Sequence, residues 1–201
     1  MSDTVLLENI LKKKQAQYPD GLDSGEIFEI FVSDTILKNF GLSYADLEDG
    51  VVDGDKDGGI DSVYLFVNGV LITEDSDFAN YKHSVAIEVY VFQSKRKDVF
   101  EEAVINTLLA SLPELFNLSN TDETLEPLFN SAVRLKFSLL RTVFKELAAT
   151  FPTFKIHIYY ACRGKKPTKQ MGIKAEQVSY AISEKHPNVD TQFKFLGAGD
   201  L

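Results

Sequence analysis

Two short stretches hold residues that are hard to explain as packing alone. One is Asp57-Gly58-Gly59-Ile60-Asp61, and the other, a hairpin later, is Gln93-Ser94-Lys95. Together they contain what phosphodiester hydrolysis requires. That reaction needs a metal ion to polarise the phosphate and activate water, anionic oxygens to hold the ion, and a cation to orient the water or offset developing charge. Asp61 is a hard oxygen ligand suited to Mg²⁺. Gln93 offers a side-chain carbonyl, Ser94 a backbone carbonyl and Lys95 an ammonium. Glu29, upstream, can add a second carboxylate.

Backbone periodicity brings these groups toward one place. Residues 60–67 read as a strand, with Asp61, Val63, Leu65 and Val67 on one face by period-two alternation. Asp61 therefore stands at the entrance of an apolar face. Residues 85–95 read as the strongest strand, with Val85, Ile87, Val89, Val91, Gln93 and Lys95 on one face. Polar groups at inward positions on two neighbouring strands suggest one shared site. The helix expected over 26–40 has Asp23 and Glu26 as a capping box and Gly41 as a stop. On that helix Asp34 and Lys38 fall on an exposed sector. Glu29 falls in the stripe of Val32, Ile36 and Phe40, where a carboxylate is costly unless paired, hydrogen-bonded or bound to metal.

The remaining elements complete an α/β pattern. A short helix is expected over 3–17, with Lys12-Lys13-Lys14 as its solvated end, followed by a loop over 18–25. Residues 43–59 are turn-rich and acidic. Asn68-Gly69 is a hairpin turn with a brief return over 70–73, and 74–82 are a polar excursion. Helices follow over 97–112, stopped near Pro113, and over 124–149, with a loop over 117–123 between them. A strand over 154–161, the basic loop Arg163-Gly164-Lys165-Lys166-Pro167, a helix over 171–185 and a strand over 189–196 end the chain. This order predicts a mixed β-sheet flanked by helices.

Composition narrows the function classes. The 201 residues suffice for one core, and 44% hydrophobic with 25% charged content is ordinary for a soluble chain. No apolar run approaches the roughly 20 residues that span a bilayer, so no membrane partner is expected. Residues 1–8 lack a basic region followed by an apolar core, and the single Cys162 can form neither an internal disulfide nor a cysteine metal site. A cytoplasmic setting fits both. The net charge of −9 is uneven: residues 1–61 hold 14 Asp/Glu against 5 Lys/Arg, and residues 134–185 hold 11 Lys/Arg against 3 Asp/Glu. The acidity thus gathers near the candidate metal ligands, and the later basic segment is compatible with phosphate contact. On charge alone, solvated helix faces explain that segment equally well.

These residues resemble a known family. Asp61 after Gly58-Gly59, then Gln93-Ser94-Lys95 on the following strand, looks like the PD-(D/E)XK (restriction-endonuclease-like) superfamily, in the Mrr-like variant with glutamine in place of the middle acid. Closer still is the N-terminal region of abortive infection phage resistance (AIPR) proteins. There an acidic residue on a helix precedes a Gly-Gly-Ile-Asp strand continuing into Phe-Val-Asn, as Phe66-Val67-Asn68 does here. The ending Phe195-Leu196-Gly197-Ala198 resembles the junction to the larger AIPR region, which makes residues 1–201 an expected N-terminal piece of a longer protein, with a nuclease-like core over about 24–200. The resemblance implies a Mg²⁺- or Mn²⁺-dependent endodeoxyribonuclease acting on DNA in phage defence. Asp61, Gln93 and Lys95 would take the catalytic positions, with Glu29 or its rival Glu26 at the helix position. Asp61, Gln93, Ser94 and Glu29 would hold the metal. Gln93 leaves one fewer negative charge on the ion than the usual acid, so weaker metal affinity is expected, and a nuclease-fold module that only binds nucleic acid or a partner is the alternative. Homodimerisation is left open.

A rival reading uses the same stretch. Asp53-x-Asp55-x-Asp57-Gly58 matches the first half of an EF-hand calcium loop, but the twelfth position is Tyr64 rather than a bidentate Glu, and a strand follows rather than a helix. Asp53, Asp55 and Asp57 are therefore expected as a solvated acidic turn. His157 alternates with apolar residues and is expected as a half-buried core histidine. His83 and His186 lie near loops, and Cys162 has no sequence partner for nucleophilic catalysis.

Overall fold

The protein is described by a computed structural model covering residues 2–186 and 188–201. Its elements run α1 (Asp3–Gln15), α2 (Ser24–Leu37), α3 (Tyr44–Asp49), β1 (Ser62–Val67), β2 (Val70–Leu71), β3 (Ala86–Lys95), α4 (Glu102–Leu115), α5 (Asp122–Leu125), α6 (Ser131–Leu147), β4 (Thr153–Cys162), α7 (Lys169–Lys185) and β5 (Val189–Leu196). The strands form one mixed sheet in the order β2-β1-β3-β4-β5. β1 runs antiparallel to β2 and β3, whereas β3, β4 and β5 are parallel. The hairpin forms because Asn68 and Gly69 take the positive φ values, 51° and 79°, that its tight turn demands. This is the α/β architecture of a mixed sheet flanked by helices that the element order predicts.

Helices cover both faces of the sheet, so β1 is buried along its length and β3 and β4 are largely buried over their carboxyl halves, while Thr153 and Lys155 at the start of β4 are exposed. On one face Val63, Leu65, Ile87, Val89 and Ile156 pack with Ile105 and Leu108 of α4, Phe137 of α6 and Val178 of α7. On the other, Tyr64, Phe66, Phe92 and Tyr159 pack with Leu7 and Leu11 of α1 and Phe28 and Phe31 of α2. The alternation in β1 thus separates two cores rather than a core from solvent. Among the described residues no helix is long and apolar enough to cross a membrane.

Several helix boundaries differ from expectation for local reasons. The capping box at Asp23 and Glu26 forms, and Gly41 ends the helical stretch with φ 66° after a 3-10 turn at Lys38–Phe40. Asp34 is not free in solvent: it accepts a hydrogen bond from Lys14 Nζ at 2.7 Å, because α1 lies against α2. The single helix expected over 124–149 is two. Pro127 lacks an N–H to continue the first, and Asn130 starts the second by accepting from Val133 N at 2.8 Å. Conversely, α4 starts only at Glu102 and continues through Pro113. There, the one hydrogen bond lost near the helix end is offset by burial of Leu112, Pro113 and Leu115.

The loop entering β1 depends on its two glycines. Gly58 and Gly59 have φ values of 70° and 77°, in the left-handed region that a side chain disfavours. Their Cα atoms also press on α4. A Cβ at Gly58 would lie 2.8 Å from Phe129 and 3.0 Å from Ser111, and one at Gly59 would lie 2.9 Å from Thr107. Ser111 Oγ locks the loop by donating to the Gly58 carbonyl at 2.6 Å. Gly59→Ala should therefore cost on the order of 2 kcal/mol and lower the melting temperature by roughly 4–8 °C in calorimetry. An unchanged melting temperature would show that the loop is not held in this conformation.

Candidate functional site

The strand register puts the first two site residues face to face. β1 and β3 pair with Ser62 opposite Phe92, and one step further Asp61 lies opposite Gln93 on the same face. The Asp61 N–H donates to the Phe92 carbonyl at 2.9 Å, which extends the ladder to this pair. Gln93 Nε2 donates to Asp61 Oδ1 at 2.7 Å and Oδ2 at 2.9 Å, and reaches the Ser94 carbonyl at 3.3 Å. The Ser94 N–H donates to Asp61 Oδ2 at 2.5 Å. Asp61 and Gln93 are each 2% exposed. A carboxylate, an amide and a main-chain carbonyl thus converge where the sheet ends.

Charged groups from other layers surround this pair. Glu29 comes from α2, on the opposite side of the sheet from α4. Burial chiefly pushes its pKa from 4.5 to about 7; the charge of Asp53 adds to this and the Lys95 ammonium opposes it. Burial likewise holds the Asp61 carboxyl well above the usual range. The neighbouring Glu29 charge adds to that shift, and Lys95 and the Ser94 N–H oppose it. Lys95 is half-buried and forms no ion pair among the described residues. Glu26 does not share this setting. Its Oε2 accepts from the Asp23 N–H at 2.6 Å, so it is occupied in capping α2. Asp61, Gln93 and the Ser94 backbone are thus in direct contact, Glu29 and Lys95 act on Asp61 through their charges, and Glu26 stays at the helix end.

The acidic turn departs from expectation. Ligand atoms of Asp53, Asp57 and Asp61 all lie within 4.8 Å of one another. Asp57 is half-buried, and its Oδ1 accepts from the Gly59 N–H at 2.7 Å. Burial pushes its pKa up, and the neighbouring Asp53 adds to the rise. Asp55 is exposed and stands outside the cluster, as a solvated turn residue would. The reason is the glycine pair, which curls the loop so that residues four apart return toward Asp61. The available sequence signal was therefore the Asp53–Asp57 spacing just ahead of two consecutive glycines. The segment that follows is the strand β1 rather than the helix of a calcium loop. Tyr64, at the twelfth position, is buried and its hydroxyl donates to the Leu47 carbonyl at 2.7 Å.

Four of the eleven cations of the basic segment pair with acids from elsewhere in the chain. Arg134 pairs with Asp122, Lys136 with Asp49 at 2.6 Å, and Lys174 with Glu102 at 2.6 Å. Arg163 binds Glu8 at 2.6 Å and Asp98 at 2.9 Å, and Arg96, next to Lys95, binds the same Glu8 at 2.8 Å. These last pairs hold α1 against the strand ends beside the site. His157 is half-buried against Tyr90 and Glu88, with its pKa lowered by burial. Cys162 is buried with its thiol pKa raised, which does not suit a nucleophile.

The donor set fits a divalent cation. All candidate ligands are hard oxygens, and the three clustered carboxylates of Asp53, Asp57 and Asp61, with the Glu29 charge also acting on Asp61, are costly to hold together without a positive charge. One detail bears on the fit. Gln93 presents Nε2 to Asp61, while its Oε1 lies toward Gly59, so ligation would use an oxygen now facing away from the carboxylate. Comparison with protein-family models, with curated proteins and with solved structures finds no match to this chain.

The raised carboxyl of Glu29 makes stability depend on pH. Its folded pKa of about 7 exceeds the ordinary 4.5. It therefore contributes stability that is fully present below pH 4.5 and lost as pH rises through 7. In chelator-treated protein, Glu29→Gln should raise the unfolding free energy at pH 8 by up to about 3 kcal/mol, with little change at pH 4.5. Denaturant titrations across this range should still show some decline in the variant, since Asp57 and Asp61 are shifted in the same direction. Identical profiles for the two proteins would contradict the placement of Glu29.

Proposed function

We propose that the chain is a Mg²⁺- or Mn²⁺-dependent nuclease domain that hydrolyses phosphodiester bonds of DNA, serving anti-phage (abortive infection) defence in the cytoplasm. The observation that carries this reading is the buried cross-strand pair of Asp61 and Gln93, with the Ser94 carbonyl beside it. The resemblance of the Gly-Gly-Ile-Asp and Gln-Ser-Lys stretches to AIPR and PD-(D/E)XK proteins supplies the substrate and the setting.

Asp61, the side-chain oxygen of Gln93, the Ser94 carbonyl and Glu29 would hold the ion, with Asp57 and Asp53 extending the set of oxygens. The ion supplies Lewis acidity toward the phosphate and makes water easier to deprotonate. Among the described residues Lys95 forms no ion pair, so its ammonium can meet a phosphate oxygen and offset charge that develops there. Without an ion the Glu29 carboxyl has its pKa pushed up to about 7, and a bound cation would lower it and favour the ionised, ligating form. Burial and the Ser94 N–H hold the Asp61 carboxylate in place before substrate arrives, whereas Gln93 must turn its amide to present Oε1 to the ion.

The test is cleavage of supercoiled plasmid with Mg²⁺ or Mn²⁺. Asp61→Ala and Lys95→Ala should each lower the rate on the order of 10²-fold or more. Equal rates in wild type and both variants would end the assignment.

A second reading is a nuclease-fold module that binds nucleic acid or a partner without turnover. It is favoured by the Gln93 amide, whose Nε2 already satisfies Asp61 in place of a cation. Gln93→Glu separates the two. A weak enzyme should bind Mn²⁺ more tightly and cleave faster in this variant, whereas a binding module should show no metal-dependent cleavage in either form.

A further inference from the structure

The sheet ends in two edges of unequal length. β2 is a two-residue edge, whereas β5 is eight residues long and pairs only with β4. Among the described residues, no backbone group from Asp190 to Leu196 bonds to any element other than β4. An open edge of this length is a template for another strand, and monomeric proteins usually shorten, bend or cover such edges.

We propose that β5 pairs antiparallel with β5 of a second copy of this chain, about a two-fold axis through Gln192, to form one continuous sheet. The argument is charge complementarity along the strand. Asp190, Gln192 and Lys194 share one face and are exposed. Facing residues in an antiparallel pair point to the same side, so an axis perpendicular to the sheet must pass through a residue. With that residue Gln192, Asp190 of each copy lies directly opposite Lys194 of the other. An axis through Thr191 sets Asp190 against Gln192, and one through Phe193 sets Gln192 against Lys194. Neither alternative pairs the charges, so the pattern selects one register. In that register the other face matches Thr191 with Phe193 and Val189 with Phe195, all of which are half-buried in the single chain.

The neighbouring helix leaves room for this pairing. α7 turns Met171, Ala175, Val178 and Ile182 to the core and Lys174 toward Asn106 of α4. By helical phase, its flank away from α4 carries Gly172, Ser179 and Ser183. These are small, the two hydroxyls bond back to carbonyls of their own helix, and a Cβ at Gly172 would meet nothing within 4 Å. These small residues leave room along that flank, beside the exposed Glu176. The proposal does not depend on the nuclease reading.

Sedimentation equilibrium on the intact chain tests it. Wild type should dimerise. Asp190→Lys or Lys194→Asp alone sets like charges opposite each other twice, and should weaken the dimer by about tenfold or more. The double variant Asp190→Lys with Lys194→Asp restores the match and should restore the dimer. A wild type that stays monomeric at all concentrations, a dimer indifferent to the single reversals, or a double variant no better than either single one would overturn the proposal. Circular dichroism checks that the variants fold. Should a reversal fail to fold, the wild-type dimer itself decides, since its dissociation constant must rise with salt if these pairs hold it.

Discussion

The antiparallel register of β1 on β3 is the constraint on which the rest of the site depends. It sets Asp61 opposite Gln93, and the pair is sealed by three donated hydrogen bonds into a nearly water-free position. A slip of one residue would turn Asp61 to the other face and bring a serine into its place. The register is protected because both faces of β1 are buried. Val63 and Leu65 are committed to one core, and Tyr64 and Phe66 to the other, so no slipped pairing keeps both satisfied.

The acidic loop and the helices are arranged around that pair in a way that concentrates like charge. Gly58 and Gly59 bring Asp53 and Asp57 back toward Asp61, and the capped α2 presents Glu29. The Lys95 ammonium lowers both the Asp61 and Glu29 pKa values. Folding into this arrangement has to overcome carboxylate repulsion and burial. The two hydrophobic layers supply the opposing free energy, and the ion pairs of Glu8 with Arg96 and Arg163 hold α1 against the same end of the sheet. Such a balance is characteristic of sites whose occupancy by a cation or proton matters.

Much of this was legible in the order of residues. Strand alternation placed Asp61, Gln93 and Lys95 inward, and helical phase placed Glu29 in an apolar stripe, because both patterns follow from backbone geometry. The less legible features depended on residues distant in the chain. Asp34 reads as exposed on its helix until Lys14 arrives from α1. The 124–149 segment reads as one amphipathic helix, although Pro127 and the Asn130 cap divide it. The positive charge of 134–185 is compatible in sequence with either phosphate contact or solvated helix faces, and only the fold shows that Asp49, Asp122, Glu8 and Glu102 pair with four of its eleven cations.

The sequence by itself determined the elements, the α/β class and the inward direction of the principal site residues, since each follows from local periodicity, turn chemistry and caps. It also made Glu26 a capping candidate as well as a site candidate and could not choose between them. Only the tertiary structure committed Glu26 to the helix end, set Glu29 within electrostatic reach of Asp61 and Lys95, and drew Asp53 and Asp57 into the cluster with Asp61. The physical reason is that pairing, burial and electrostatic coupling are set by distances across the fold. Those distances depend on how the two layers of helices close on the sheet, which no stretch of sequence specifies alone.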